Sequence, residues 1–269
     1  MLYTTVIGVD AGHLEQLRIT WPTWADNKPS LLKNPVVCFY DVNGVSPAEI
    51  HYAIDPKPVD LILYAWPPPD AIYGSPDAPV DKWHNPQREL MLSGFVYVPA
   101  RAVQTSYWLK LDLDVVANGH DDWIDPSWFN GDPAIVSHRW SYSKPPMQMM
   151  DLDAWVEKHK DKLPAWQQTA PLNLIPKPGS NLVKHDRIIS WCAFFDTKFT
   201  NLCAVAAEQT CGFGKLPVPS QDGFLWYSAT RLGLPIRTVN MKRRGFTHCN
   251  GNANVRKAAE LALDPVKLV

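Results

Sequence analysis

The chain has 269 residues, of which 46% are hydrophobic and 20% charged, and its formal net charge is −1. This length suits one large α/β domain or two modest ones, and the balanced charge argues against a nucleic-acid-binding surface or a long disordered tail. Five cysteines without a C-x-x-C pair argue against a disulfide framework or a zinc cluster and favour a reducing cytoplasm. The N-terminus lacks the basic region of a signal peptide, and no apolar run approaches the ~18 residues of a membrane-spanning helix.

The first seventy residues have the pattern of a nucleotide-binding sheet. Short β-branched or apolar runs predict three strands, at Tyr3–Val9, Val36–Asp41 and Leu61–Trp66. Apolar residues at helical spacing predict a helix over His13–Trp24, after the first strand. This order is typical of a doubly wound α/β half. The sequence has neither G-x-G-x-x-G after the first strand nor a P-loop motif, which disfavours a dinucleotide oxidoreductase and a P-loop enzyme.

The centre of the chain is a strand that ends in two carboxylates. A helix is predicted over Pro86–Val98, with Gly94 at a close packing contact, and the alternating run Tyr107–Val116 predicts the strand. Asp112 and Asp114 leave the same side of this strand near its carboxyl end, where open α/β sheets bind ligands. This spacing suits a hard divalent cation, Mg²⁺ or Mn²⁺, that also contacts a diphosphate. The plainer alternative is an acidic loop that ends a buried strand.

The second half is less regular. Prolines, methionines and tryptophans between residues 119 and 186 predict a loop-rich binding region. Further strands are predicted at Ala134–His138, Ile188–Phe195 and Pro235–Val239. Helices are predicted at Leu152–Lys162, after Phe195 through Glu208, from Asp222 to a cap at Gly233, and after His248. We interpret residues 1–118 and residues 119–269 as two halves of a single domain.

Four short motifs follow one another along these elements. They are Arg88 on a helix, the small-residue step Ser93-Gly94, the strand end Asp112-Leu113-Asp114, and Gln221-Asp222 at the start of a late helix. In this order the motifs resemble a family-2-like nucleotide-sugar glycosyltransferase of the GT-A type. The resemblance implies a Rossmann-type, mostly parallel sheet flanked by helices, with a loop-rich acceptor side. It also implies transfer of a sugar from a nucleoside-diphosphate donor to the hydroxyl of a glycan, lipid or small-molecule acceptor. On this resemblance, residues 1–118 are the donor-binding half and residues 119–269 the acceptor-binding and catalytic half.

The resemblance implies a metal and donor site. Asp112 and Asp114 would hold the cation, with Asp112 also able to reach the ribose, and His248 would complete the metal site and favour Mn²⁺. Arg88 would contact the diphosphate and Asp41 the nucleobase. Three of these residues also have a simpler explanation: His248 as a surface histidine, Arg88 as part of a solvated helix face, and Asp41 as a turn-forming aspartate.

Asp222 is the general base that the resemblance implies for an enzyme that inverts the anomeric centre. An aspartate at this position also has a plainer reading, because negative charge is favourable at a helix N-terminus. Position 221 is Gln where the family more often has Glu or Asp, which leaves an accessory role for it in doubt.

Two other classes of protein remain open from the sequence. The run ending in Asp112-x-Asp114 also fits a haloacid-dehalogenase-like phosphatase, with Asp112 as nucleophile and Asp114 as acid and base, although the motif lies far from the N-terminus. A non-catalytic sugar- or nucleotide-binding protein of the same fold is the other.

Overall fold

A seven-stranded sheet organises the chain in a computed structural model that describes residues 2–68, 86–142, 157–158, 161, 185–217 and 221–263. In sheet order the strands are β3 (Leu61–Trp66), β2 (Val36–Asp41), β1 (Thr4–Val9), β4 (Tyr107–Leu111), β7 (His185–Asp196), β6 (Ile135–Tyr142) and β8 (Ile236–Val239). A separate antiparallel pair is formed by β5 (Val115–Ala117) and β9 (Phe246–His248).

Six of the seven strands run in the same direction. The pairs β1–β2, β2–β3, β1–β4 and β6–β8 are parallel, and only β7 runs antiparallel to its neighbours β4 and β6. The central strands are apolar on both faces, as strands covered by helices on both sides must be. The mostly parallel α/β sheet predicted from the sequence is therefore confirmed.

Helices cover both faces of the sheet. Those described are α1 (Leu14–Asn27), α2 (Pro47–Ala53), α3 (Pro86–Ala102), α4 (Thr197–Cys211), α5 (Gln221–Arg231) and α6 (Asn252–Leu263). One hydrophobic core joins α3, α4 and α5 to the sheet, and a second core joins α1 and α2 to its other face. Helix α6 packs on α1 and β5. Among the described residues, no helix has the length and apolar character needed to cross a membrane.

The predicted central strand is shorter than its alternating pattern suggested. It ends at Leu111, and Asp112 to Asp114 form a turn before β5. Two hydrogen bonds set this turn: the Asp112 N–H donates to the Trp191 carbonyl (2.9 Å), and the Val115 N–H donates to the Asp112 carbonyl (3.1 Å). The alternation of apolar and polar residues continues through the turn because residues 111–115 remain alternately buried and partly exposed. The sequence alone therefore does not reveal where the hydrogen-bonded strand ends.

Two other elements differ from the prediction or lie beyond it. Helix α2 was not predicted, although Ser46 and Glu49 form a complete capping box around Pro47, a signal readable from the sequence. The predicted helix Leu152–Lys162 falls almost entirely outside the described residues.

Candidate metal and donor site

The acidic turn after β4 opens into a cavity of about 470 Å³. This cavity lies at the carboxyl ends of β1 and β4, beside α3 and the segment that follows β9. Its polar lining residues are Asp10, His13, Gln16, Arg88, Asp112, Asp114, His248 and Asn250. The cavity thus lies at the sheet edge where open α/β folds bind ligands.

Asp112, Asp114 and His248 converge inside this cavity, with one candidate ligand atom from each lying within 4.8 Å of the others. The small β5–β9 sheet is what brings them together. Val115 pairs with His248 across that sheet, and the Cys249 N–H donates to the Asp114 carbonyl at 2.8 Å. His248 Nε2 consequently lies 3.2 Å from Asp114 Oδ2.

The imidazole of His248 is held on two sides. Its hydrogen bond with Asp114 raises the pKa of His248, an effect that burial partly opposes. The Trp191 indole stacks on the imidazole, with ring centroids 5.8 Å apart and an interplanar angle of 15°. These contacts fix the ring orientation, which a histidine ligand requires.

Two carboxylates and an imidazole form a ligand set that suits Mn²⁺ or Mg²⁺. The side chains of Asp112, Asp114 and His248 are 31%, 22% and 31% exposed, so each remains accessible from the cavity. The three residues therefore fit a divalent cation that keeps coordination positions open for a ligand such as a diphosphate.

Lys110 is a site residue that the sequence analysis missed. It is 2% exposed, its amine forms an ion pair with Asp112 and donates to the Ser190 carbonyl at 3.2 Å, and it lies 4.5 Å from the centroid of the Phe95 ring. Burial raises the pKa of Asp112 and the Lys110 charge opposes this, while the charges of Asp114 and Asp222 add to the rise. The sequence did contain a signal for this role, because Lys110 is a charged residue inside an otherwise apolar strand.

Asp222 lies in the first turn of α5, on the same side of the sheet as Lys110. Its carboxylate accepts hydrogen bonds from the Ser190 hydroxyl and, at 2.6 Å, from the Gln221 amide. Gln221 is itself 3% exposed and also donates to the Ser190 hydroxyl at 3.3 Å. Gln221 thus contributes to the arrangement as a hydrogen-bond donor that orients Asp222.

Arg88, the basic residue expected to contact the diphosphate, lies in the cavity wall. Arg101, a second basic residue of the same helix, belongs to the last turn of α3. It pairs with Glu208 at 3.0 Å and lies 4.2 Å from the Phe213 ring centroid. These partners hold Arg101 against α4, and Arg101 is not among the residues that line the cavity.

Asp10 lines the cavity, whereas Asp41, which the resemblance offered for the nucleobase, is not among the described residues that line it. Asp41 lies at the end of β2, where its carboxylate is mostly buried and accepts from the Asn43 N–H at 3.0 Å; its nucleobase role stays a prediction. Asp10 follows β1 and bonds His13 Nδ1 at 2.6 Å, and both line the cavity. Asp10 therefore also lies at the carboxyl end of a parallel strand, where open α/β sheets bind ligands.

No protein-family model matches the chain, and no curated protein matches it either. Solved structures do. Core-mannan synthase A (CmsA/Ktr4) from Aspergillus fumigatus, in an Mn/GDP form, has a TM-score of 0.56 at 13% identity over 92% of this chain and 74% of that chain. The galactosyltransferase LgtC, in complex with donor and acceptor sugar analogues, has a TM-score of 0.54 at 10% identity over 97% of this chain and 96% of that chain.

The same architecture also occurs in 4-diphosphocytidyl-2C-methyl-D-erythritol synthase from Anaerococcus prevotii, with a TM-score of 0.51 at 10% identity over 97% of both chains. At 10–13% sequence identity, structural similarity shows the fold alone. The chain therefore has the GT-A fold of Ktr4 and LgtC, with an Asp-x-Asp metal-site candidate at the expected edge of its sheet.

Proposed function

We propose that this protein is a metal-dependent glycosyltransferase that moves a sugar from a nucleoside-diphosphate donor to an acceptor hydroxyl. The observation that carries the proposal is the convergence of Asp112, Asp114 and His248 in a cavity at the carboxyl edge of a GT-A sheet. Ktr4 in its Mn/GDP form and LgtC with donor and acceptor analogues share this fold, which supports the assignment to sugar transfer.

In this proposal Asp112, Asp114 and His248 hold the cation, with Mn²⁺ favoured by the imidazole. When bound, the cation neutralises negative charge that develops on the departing diphosphate. Arg88 donates charge-assisted hydrogen bonds to the same diphosphate from the wall of the cavity. Asp10 and His13 lie where β1 ends and, with Asp41 of the next strand, are the candidates for contacts with the nucleoside.

Asp222 is the proposed general base of an inverting transfer. Its carboxylate would take the proton of the acceptor hydroxyl while the acceptor oxygen bonds to the anomeric carbon and the bond from that carbon to the diphosphate breaks. The breaking bond leaves its electron pair on the diphosphate. Hydrogen bonds from Ser190 and Gln221 orient the Asp222 carboxylate, whose charge contributes to the raised pKa of Asp112. The anomeric configuration of the product tests this assignment, since a retained configuration excludes a single displacement with Asp222 as base.

The first experiment is a thermal-shift screen of nucleoside diphosphates and nucleotide-sugars, with and without Mn²⁺. Asp114→Ala removes a proposed metal ligand, and Asp125→Ala is the matched control because Asp125 is 43% exposed and pairs only weakly with Arg244 at 3.7 Å. We expect a metal-dependent shift in the wild type and in Asp125→Ala, and its loss in Asp114→Ala. An equal shift in Asp114→Ala would remove the basis of the metal site.

Adding nucleoside triphosphates and aryl phosphates to this screen separates the competing activities. The cytidylyl-transferring relative makes nucleotidyl transfer the alternative to check within the fold, whereas nothing in the comparisons supports a phosphatase. Release of free sugar from the donor in water, measured without an acceptor, distinguishes an enzyme from a binding protein of the same fold.

A further inference from the structure

A second cavity, of about 530 Å³, lies at the carboxyl end of β8, beside His138 in the middle of the neighbouring strand β6. Its described lining residues are His138, Thr238, Val239, Asn240, Lys242 and Arg243. None of these residues belongs to the metal and donor site. The two cations come from the short 3₁₀-helix Met241–Arg244, which connects β8 to the strand that carries His248.

This second cavity is on the same edge of the sheet as the metal site. Strand β6 runs parallel to β4 and is two strands away from it, which at the usual spacing is about 10 Å. The Trp191 indole bridges the two places: its centroid is 5.1 Å from the ring of His138 and 5.8 Å from that of His248. The candidate nucleoside residues lie on the other side of β4, at β1 and β2, so the second cavity faces the side of the metal away from the nucleoside.

Among the described residues, no carboxylate forms an ion pair with the cations of the second cavity, although Asp122 shares a neighbouring cavity with both of them. Lys242 and Arg243 are exposed and make no ion pair with any described residue, whereas Arg244 pairs with Asp125 and lies 5.2 Å from the centroid of the Trp128 ring. No carboxylate is among the described residues that line the cavity.

His138 gives this cavity a fixed wall. Its Nδ1 accepts a hydrogen bond from the Met241 N–H at 3.2 Å, which anchors the 3₁₀-helix against β6. Burial lowers the pKa of His138, and the Lys242 charge lowers it further. The hydrogen bond to Met241 therefore holds the first residue of the 3₁₀-helix that carries both cations against β6.

We infer that this second cavity is the acceptor subsite and that it takes an acceptor bearing a phosphate or carboxylate group, bound by Lys242 and Arg243. The inference rests on the proposed function and specifies its acceptor. Guanidinium and ammonium groups form charge-assisted hydrogen bonds with such anions, and Arg243 offers the paired donors that suit both. The anionic group stays bound and unreacted, while a hydroxyl of the same acceptor lies towards the metal and Asp222.

The test measures acceptor binding directly, so it does not depend on turnover or on knowing the donor. Calorimetric titrations at constant ionic strength would use hexose 6-phosphate, hexuronate, the neutral hexose, inorganic phosphate and vesicles containing anionic lipid. They would be repeated with a saturating nucleoside diphosphate and Mn²⁺ to block the donor site. The variant is Lys242→Ala/Arg243→Ala, and the matched control is Arg256→Ala/Lys257→Ala, an adjacent exposed pair on α6 that changes the net charge equally.

We expect an anionic sugar to bind the wild type and the control alike, and to lose about tenfold or more in affinity in Lys242→Ala/Arg243→Ala. The phosphate and uronate arms then identify which anion is preferred. Equal binding of neutral hexose, unchanged by the variant, would overturn the inference, as would failure of every anion to bind.

Two further outcomes would assign the cations to another role. Binding of anionic vesicles alone would make the basic pair a membrane-contact surface. Loss of the nucleoside-diphosphate thermal shift in the variant would make it part of the donor site. Failure of the proposed function has a different signature, because no nucleotide would then shift the wild-type protein whatever the acceptor titrations show.

Discussion

At the scale of single residues, we expect the protonation state of His248 to control cation binding at the candidate metal site. A metal ligand must be a neutral imidazole, and the hydrogen bond with Asp114 raises the pKa of His248 in the metal-free fold. Protonated His248 therefore stabilises the fold below its unfolded pKa of about 6.5. That contribution disappears as pH rises through the raised pKa of the folded protein.

We predict that Mn²⁺ affinity increases as pH rises through this raised pKa and levels off above it. Titration of free Mn²⁺ by electron paramagnetic resonance at several pH values measures the affinity. His248→Gln should weaken binding and flatten the dependence over this pH range, because the titrating ligand is gone. An unchanged pH profile in His248→Gln would show that another group controls metal binding.

Lys110 and Asp112 form a pair in which each charge depends on the other. Lys110→Met leaves the mostly enclosed Asp112 carboxylate without its cation, and we expect a loss of about 2 kcal/mol in the free energy of unfolding. The side chain of Asp112 is 31% exposed, which keeps the expected loss below that of a fully buried pair. Urea denaturation monitored by circular dichroism measures it.

The double variant Lys110→Met/Asp112→Asn is the control for this explanation. Removing both charges should recover part of the stability lost in Lys110→Met, since no unpaired carboxylate remains. If the double variant is as unstable as the sum of the single changes, the loss comes from the packing of the lysine stem against Phe95 and not from the ion pair.

At the scale of elements, Phe39 of β2 fills the space that two glycines leave between the sheet and α3. A Cβ atom at Gly94 would lie 2.5 Å from Phe39 Cε2, and one at Gly8 would lie 2.4 Å from Phe39 Cζ. The close packing of the helix at Gly94 that the sequence predicted is confirmed. The contact fixes how near α3, which carries Arg88, approaches the strand that leads to Asp10.

Gly94→Ala should lower the free energy of unfolding by about 1–3 kcal/mol, the usual cost of overpacking. The sign is informative, because the same change in an exposed helix would stabilise it by about 1 kcal/mol. Adding Phe39→Leu should make the two changes cost less together than the sum of their separate effects in chemical denaturation. If the losses in the free energy of unfolding were strictly additive, the Phe39 ring and the Cβ added at position 94 would not be in steric conflict.

At the scale of the whole molecule, the predicted donor and acceptor halves share their cores. β4 of the first half pairs with β7 of the second, and β5 pairs with β9. Both main cores contain residues from each side of position 118, such as Val96 with Phe224 in one and Leu109 with Phe194 in the other. We therefore propose that the halves differ in ligand but do not fold separately.

A fragment of residues 1–118 should accordingly lack a cooperative unfolding transition, because β4 would lose β7 and β5 would lose β9. Circular dichroism during urea titration, and the amide dispersion of a proton–nitrogen correlation spectrum, measure this. The full-length chain, which should unfold in a single transition, is the control. A dispersed spectrum from the fragment would show that the donor half is an independent domain.

The sequence by itself determined the α/β class and singled out Asp112 and Asp114, because strand alternation and the chemistry near a strand end depend on neighbouring residues alone. Arg88, Asp222 and His248 were singled out by the resemblance to a known family, and their roles stay predictions. Carboxylates at strand ends also carry a topological expectation, since parallel strands place them at one edge of a sheet.

Only the tertiary structure decided which of these residues meet. Pairing of β5 with β9 sets His248 beside Asp114, and pairing of β4 with β7 encloses Lys110 between Asp112 and Ser190. The order of the strands likewise places Asp10 in the same cavity as the candidate metal site. It places Lys242 in the second cavity, on the opposite side of β4 from Asp10. Such contacts join residues far apart in the chain, and they follow from strand order and register, which no local pattern in the sequence specifies.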